Sequence, residues 1–244
     1  EKEFGLREVI IVGENSSEDG MKESLGEAAA RYLEYTIKDG NIVGVSMGST
    51  LFEVVSHVVH PAAQKVTFVP LVGGVGRVRM ELHANSLAES LSRIYNGKFV
   101  PLHAPARVSS RNIRDELLKE DSLLPAIYLT KKLDIAVVGI GYPNEKSAIM
   151  ATGYFKENEI ESLIDRKVAG ELCMQFYDIY GDTAPYKDDN NVIGMDISML
   201  RSVPRSIGIA GGVEKLRAVR GAINGHYINT LITDIECAEA LISE

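Results

Sequence analysis

Seven short runs rich in β-branched and aliphatic residues, separated by stretches of helical periodicity, constrain this 244-residue chain more than any other feature. The runs are "REVIIVG" (7–13), "NIVGVS" (41–46), "KVTFVPL" (65–71), "KFVPLH" (98–103), "DIAVVGIG" (134–141), "RSIGIAGG" (205–212) and "NTLITD" (229–234). They are apolar throughout rather than alternating, which demands burial on both faces. Helical patterns such as "DGMKESLGEAAARYLEYTIKDG", "STLFEVVSHVV", "ANSLAESLSRIYNG" and "EKLRAVRGAING" lie between them and serve as right-handed crossovers. The expectation is a doubly wound, mostly parallel, Rossmann-like α/β fold. One segment, residues 170–196, breaks the alternation and reads as an inserted β-hairpin around a polar Asp/Asn/Gly/Pro-rich turn. No repeat, low-complexity tract or linker interrupts the pattern.

Charge and composition narrow the functions. A formal charge of −8 and a pI of about 5.3 oppose direct contact with a phosphate backbone. Cys173 and Cys237 are too few for a disulfide framework, which places the chain in a reducing cytoplasm. No run approaches the ~20 apolar residues of a membrane span, and "EKEFGLREVIIVG" lacks the layout of a signal peptide. Starting in mid-pattern without Met, the chain reads as a trimmed fragment. His57 and His60 could share a helical face, but no HExxH motif or Cys/His cluster supports a metal site.

Ligands of open α/β sheets bind outside the carboxyl ends of the strands. Four such ends carry Gly-rich turns: Ser46-Met47-Gly48-Ser49-Thr50, Val72-Gly73-Gly74-Val75-Gly76-Arg77, Gly139-Ile140-Gly141 and Gly211-Gly212-Val213-Glu214-Lys215. The first and last open helices. Free backbone N–H groups at a helix start, with Ser49, Thr50 and Lys215 beside them, make an anion site. A dinucleotide motif is incomplete, since "GGVGRV" has Val78 where the last glycine belongs, and Walker A is absent. Ser46 in "GVSMG" matches the spelling of a nucleophile elbow, with His83, His103 or His226 as nominal partners. The helix, however, starts after Gly48 rather than at Ser46. Taken singly, these residues have plain readings: Ser/Thr as an N-cap, Gly-Gly as a turn, Lys215 as a solvated lysine.

With these motifs assembled, the sequence resembles the effector-binding domain of the SorC family of bacterial sugar-responsive transcriptional regulators. The matching stretches are "FGLREVIIVG", "DGNIVGVSMGSTLFEV", "VPLVGGVG" with "HANSLAESLS", "DIAVVGIG", "AGELCMQFYDIYGD", "VIGMDISMLRSVPRSIGIAGGVEKLRAVRGAING" and "NTLITDIECAEALI", in order over essentially the whole chain. The resemblance implies a fold like that of glucosamine-6-phosphate deaminase and ribose-5-phosphate isomerase. It makes residues 1–244 a sugar-phosphate effector-binding domain. Operator DNA would be bound only through a helix-turn-helix domain preceding this segment, and the assembly would be a homodimer or homotetramer. The resemblance implies no catalytic residue, metal or cofactor. It places ligand-binding roles on Gly48, Ser49, Thr50, Gly73, Gly74, His83, Asn85, Glu171 and Lys215.

The sequence departs from the family in two places. Val72 stands where the family can carry a basic residue, and Lys146 is the only cation in "YPNEKSAIMATGYF". Both departures favour a singly phosphorylated or unphosphorylated sugar over a bisphosphate. Arg77 and Arg79 are expected to border the mouth, and Asp178 to be a turn residue. The competing expectation is an isomerase or deaminase of the same fold, with Glu171 and His83 as its acid–base candidates.

Overall fold

The computed structural model describes residues 1–14, 17–76, 79–144 and 148–243. The seven expected strands are β1 (Glu8–Val12), β2 (Ile42–Val45), β3 (Thr67–Pro70), β4 (Lys98–Phe99), β5 (Ile135–Gly139), β8 (Arg205–Ile209) and β9 (Thr230–Asp234). They form one sheet in the order β1-β9-β8-β5-β2-β3-β4, and every pairing is parallel. β4 is cut to two residues. Pro101 lies just beyond it and has no N–H to extend the ladder.

Helices α1 (Glu18–Thr36), α2 (Ser49–His57) and α3 (Ala84–Ile94) pack on one face. The other face carries α5 (Leu124–Thr130), α7 (Glu157–Asp165), α8 (Leu216–Asn224) and α9 (Ile235–Ser243). Two further short helices, α4 (Arg111–Leu117) and α6 (Ala148–Ala151), have no strong periodicity to announce them. The central strands serve both faces. Ile135 and Val137 join the core of α1–α3, whereas Ala136 and Val138 join the opposite core, so period-two alternation is present but apolar on both sides.

The inserted hairpin exists, but its turn is not the polar one expected. β6 (Gly170–Leu172) and β7 (Gln175–Tyr177) pair antiparallel through Cys173-Met174, whose φ angles are 51° and 63°. Positive φ at both central residues is the geometry of a type I′ turn, which matches the twist of a tight hairpin. Neither residue is the Gly or Asn that usually signals it. The polar stretch that follows pairs elsewhere, through bridges of Val192 with Arg107 and of Gly194 with Val72. Asp178 is a turn residue, its Oδ1 accepting the N–H groups of Tyr180 (2.9 Å) and Asp182 (2.8 Å).

Candidate functional site

β2 has β3 on one side and β5 on the other, so the chain reverses its winding between β2 and β5. At the carboxyl end of that switch point lies a cavity of about 400 Å³. Its walls come from five distant segments: the N-terminus of α1, the Met47–Leu51 turn, residues 139–142 with Asn144 and Ile149, Glu171 of the hairpin, and Ile209 with Glu214-Lys215.

The Met47–Leu51 turn supplies one end of the cavity. Gly48 has φ 126°, which a side chain would strain, and it leaves open space around its Cα. Its N–H donates to Leu82 O (3.1 Å) and its C=O accepts the first helical bond, from Phe52 (3.0 Å). The N–H groups of Ser49, Thr50 and Leu51 therefore begin α2 without helical acceptors, and no side chain caps them. All three residues line the cavity. Thr50 is 9% exposed.

Lys215 reaches the same hollow from a 3₁₀ turn (Val213–Lys215) that precedes α8. This turn is why the helix starts one step later than the sequence suggests. Asp234 anchors the turn: the Gly212 N–H donates to Asp234 Oδ1 (3.2 Å), the atom that also accepts the Cys237 N–H of α9 (3.2 Å). Burial lowers the Lys215 pKa, opposed by Glu214 and reinforced by Lys22. Among the described residues its ammonium makes no hydrogen bond or ion pair, which leaves it available to a ligand.

Glu171 is placed by a two-way backbone bridge that docks the hairpin on the end of β5: Gly141 N–H to Glu171 O (3.0 Å) and Glu171 N–H to Gly141 O (2.9 Å). Its Oε2 accepts the Met174 N–H (2.8 Å), closing the hairpin turn. A Cβ at residue 141 would overlap the carboxylate, so Gly141 is what allows it to lie there. Burial pushes the Glu171 carboxyl up to about 7, against the lowering effects of the Met174 amide and Lys215. An acid raised in the folded state holds its proton after the unfolded chain has lost it, so stability falls as pH rises from about 4.5 to about 7. Thermal unfolding between pH 5 and 8 should show this slope, and Glu171→Gln should remove it. An unchanged slope in the variant would dismiss the assignment.

The remaining expected residues stand outside the cavity. Gly73 and Gly74 follow β3 into backbone pairing: Gly73 N–H to Ile193 O (2.9 Å) and Gly74 N–H to Ala104 O (2.8 Å). Asn85 clamps the chain after β4, its Nδ2 donating to Leu102 O (3.1 Å) and its Oδ1 accepting the Leu102 N–H (3.0 Å). Asn85→Ala should therefore cost about 1–2 kcal/mol of stability, by urea unfolding, while leaving ligand affinity in place. His83 is the N-cap of α3, next to the Leu82 carbonyl that holds Gly48. Arg79 pairs with Glu81 (3.3 Å). Arg77 and Lys146 lie outside the described residues.

Two residues that sequence reasoning passed over do line the cavity: Glu18 and Lys22, paired at 2.6 Å across one turn of α1. Lys22 holds the Glu18 carboxyl below its ordinary range, by hydrogen bond first and charge second. The carboxyl end of β1 shares the rim with the other strands, so the loop after it was a place to look. No group of three or more potential metal ligands occurs among the described residues.

A doubly wound parallel sheet with a cavity at its switch point defines a small-molecule-binding α/β domain. The chain belongs to the Sugar-bind family of sugar-binding domains, which it matches over residues 1–243. It is 28% identical over 247 residues to the deoxyribonucleoside regulator of Bacillus subtilis, covering 100% of this chain and 78% of that protein. It is 29% identical over 248 residues to the sorbitol operon regulator of Klebsiella pneumoniae, with 99% and 78% covered. The crystal structure of the full-length Klebsiella pneumoniae regulator superposes with a TM-score of 0.88 over 99% of this chain and 78% of that one, at 28% identity. This is the sugar-binding domain of transcriptional regulators. No helix among the described residues is long and apolar enough to cross a membrane.

Proposed function

We propose that this domain senses a singly phosphorylated sugar and passes the event to a helix-turn-helix domain outside this chain. The observation that carries the reading is the meeting of Ser49, Thr50 and Lys215, far apart in sequence, around one cavity. The phosphate sits on the N–H groups that open α2, with the Thr50 hydroxyl and the Lys215 ammonium completing its shell. Sugar hydroxyls extend toward Glu171. Among the described residues only Lys22 and Lys215 bring positive charge to the wall, and Lys22 is engaged with Glu18, which supports one phosphate rather than two. The domain works in the cytoplasm as a homodimer or homotetramer. Its effector acts by differential affinity for two packing states, which shifts DNA affinity.

A thermal-shift screen over pentose and hexose mono- and bisphosphates tests this. A ligand at 100 times its Kd adds about 2.7 kcal/mol of stability, and monophosphates should stabilise more than bisphosphates. No stabilisation by any of them would reject the reading. One observation favours a second reading: a carboxyl near 7 on the wall of a sugar-sized cavity has the poise of a general base. Turnover of the same compounds, followed by NMR, would establish an isomerase. Binding without turnover keeps the domain a sensor.

A further inference from the structure

Behind Glu171 a second, small hollow of about 40 Å³ opens from the main cavity, sharing Met47, Gly48, Gly139, Ile149 and Glu171 with it. Its inner wall adds Ser46, Cys173 and Met174. Ser46 is 2% exposed. Its Oγ is fixed by accepting the Gly139 N–H (3.2 Å), and among the described residues its own hydroxyl proton has no acceptor. A buried O–H left undirected is costly unless something occupies the hollow. Glu171 lines the same hollow; its Oε2 accepts the Met174 N–H, while Oε1 takes no hydrogen bond among the described residues. The hollow thus offers one donor and one acceptor to a group of about the size of a water, which needs only about 10–15 Å³ of such volume. Among the described residues no Lys or Arg lines it, so none of them offers a phosphate a counter-charge there.

We propose that this hollow is the subsite for one uncharged hydroxyl of the ligand, which accepts from Ser46 Oγ–H and donates to Glu171 Oε1. Ser46 becomes a specificity residue that discriminates sugar phosphates by the hydroxyl that enters this hollow. The sequence had offered Ser46 only as the serine of a nucleophile-elbow spelling. Among the described residues no histidine lines the hollow, so the serine–histidine pair that the elbow spelling calls for is not made there. This inference rests on the sugar-phosphate reading above.

The test is calorimetry of wild type and Ser46→Ala with inorganic phosphate and with the tightest sugar monophosphate of the screen. Phosphate should bind both proteins equally, which also shows that the variant is folded. The sugar phosphate should lose about tenfold in the variant, the effect of one buried hydrogen bond. A monodeoxy and 1,5-anhydro series of the same sugar phosphate, run on wild type alone, decides the matter even if the variant does not fold. One member should lose the same ~tenfold, and in Ser46→Ala it should bind as its parent does. The proposal is overturned if Ser46→Ala keeps the full affinity advantage of sugar phosphate over phosphate, or if every analogue binds wild type like its parent. Failure of both phosphate and all sugar phosphates to bind wild type sinks the underlying reading instead, and the subsite with it.

Discussion

Lys215→Ala lowers the affinity for a sugar phosphate by about 1.5–3 kcal/mol, the worth of a hydrogen bond to a charged group, or roughly 10- to 150-fold. Three features make the effect large. The ammonium is drawn down from its ordinary pKa by burial, so it faces the ligand in a medium that screens little. It has no hydrogen-bond or ion-pair partner among the described residues, so none of its interaction is already committed. The other cation on the wall, Lys22, is held by Glu18 at 2.6 Å and cannot substitute without breaking that pair. The N–H groups at the start of α2 remain, so binding weakens without vanishing. Stability of the unliganded protein should hold or rise, because a desolvated, unpaired charge disfavours the folded state. Titration calorimetry with matched thermal unfolding checks both halves. Unchanged affinity would remove Lys215 from the site.

Gly73→Ala should have the opposite signature, a stability loss of about 3 kcal/mol, at the upper end of the range for overpacking, with the folded protein's affinity preserved. A Cβ there would stand 2.6 Å from Ala104 O and 2.7 Å from Pro105 O. Both are backbone atoms that no rotamer change can move aside. The loop after β3 also donates from Gly73 to Ile193 O at 2.9 Å and from Gly74 to Ala104 O at 2.8 Å, so displacing it breaks pairing on two sides. In a domain of this size each kcal/mol moves Tm by about 2–4 °C, well within reach of a thermal melt. Weakened ligand binding without loss of stability would restore Gly73 to the site.

These two residues show how far local pattern reaches. The turns that bring Gly48 and Lys215 to the cavity wall were legible because each follows a buried strand and precedes a helix, and strand ends of a parallel sheet share one rim. Gly73-Gly74 carries the same local signature, yet it runs on into pairing with residues 104–106 and 192–194. Nothing in the dipeptide distinguishes the two outcomes, because the difference lies in partners 30 or more residues away. Glu171 was legible only through family resemblance. Its place on the wall depends on the exchange of backbone hydrogen bonds with Gly141 and on a turn at Cys173-Met174, whose residue types give no sign of positive φ.

The sequence alone determined the sheet, because runs of Val and Ile apolar on both faces have few stable solutions other than a parallel sheet covered by helices. It also determined which loops could meet, since that follows from strand direction. Tertiary structure alone decided which of them do, and it brought the buried Ser46 and Glu171 to the wall of one hollow. Such pairings are made by a few non-local contacts, each weak by itself and fixed only when the whole core has closed around them.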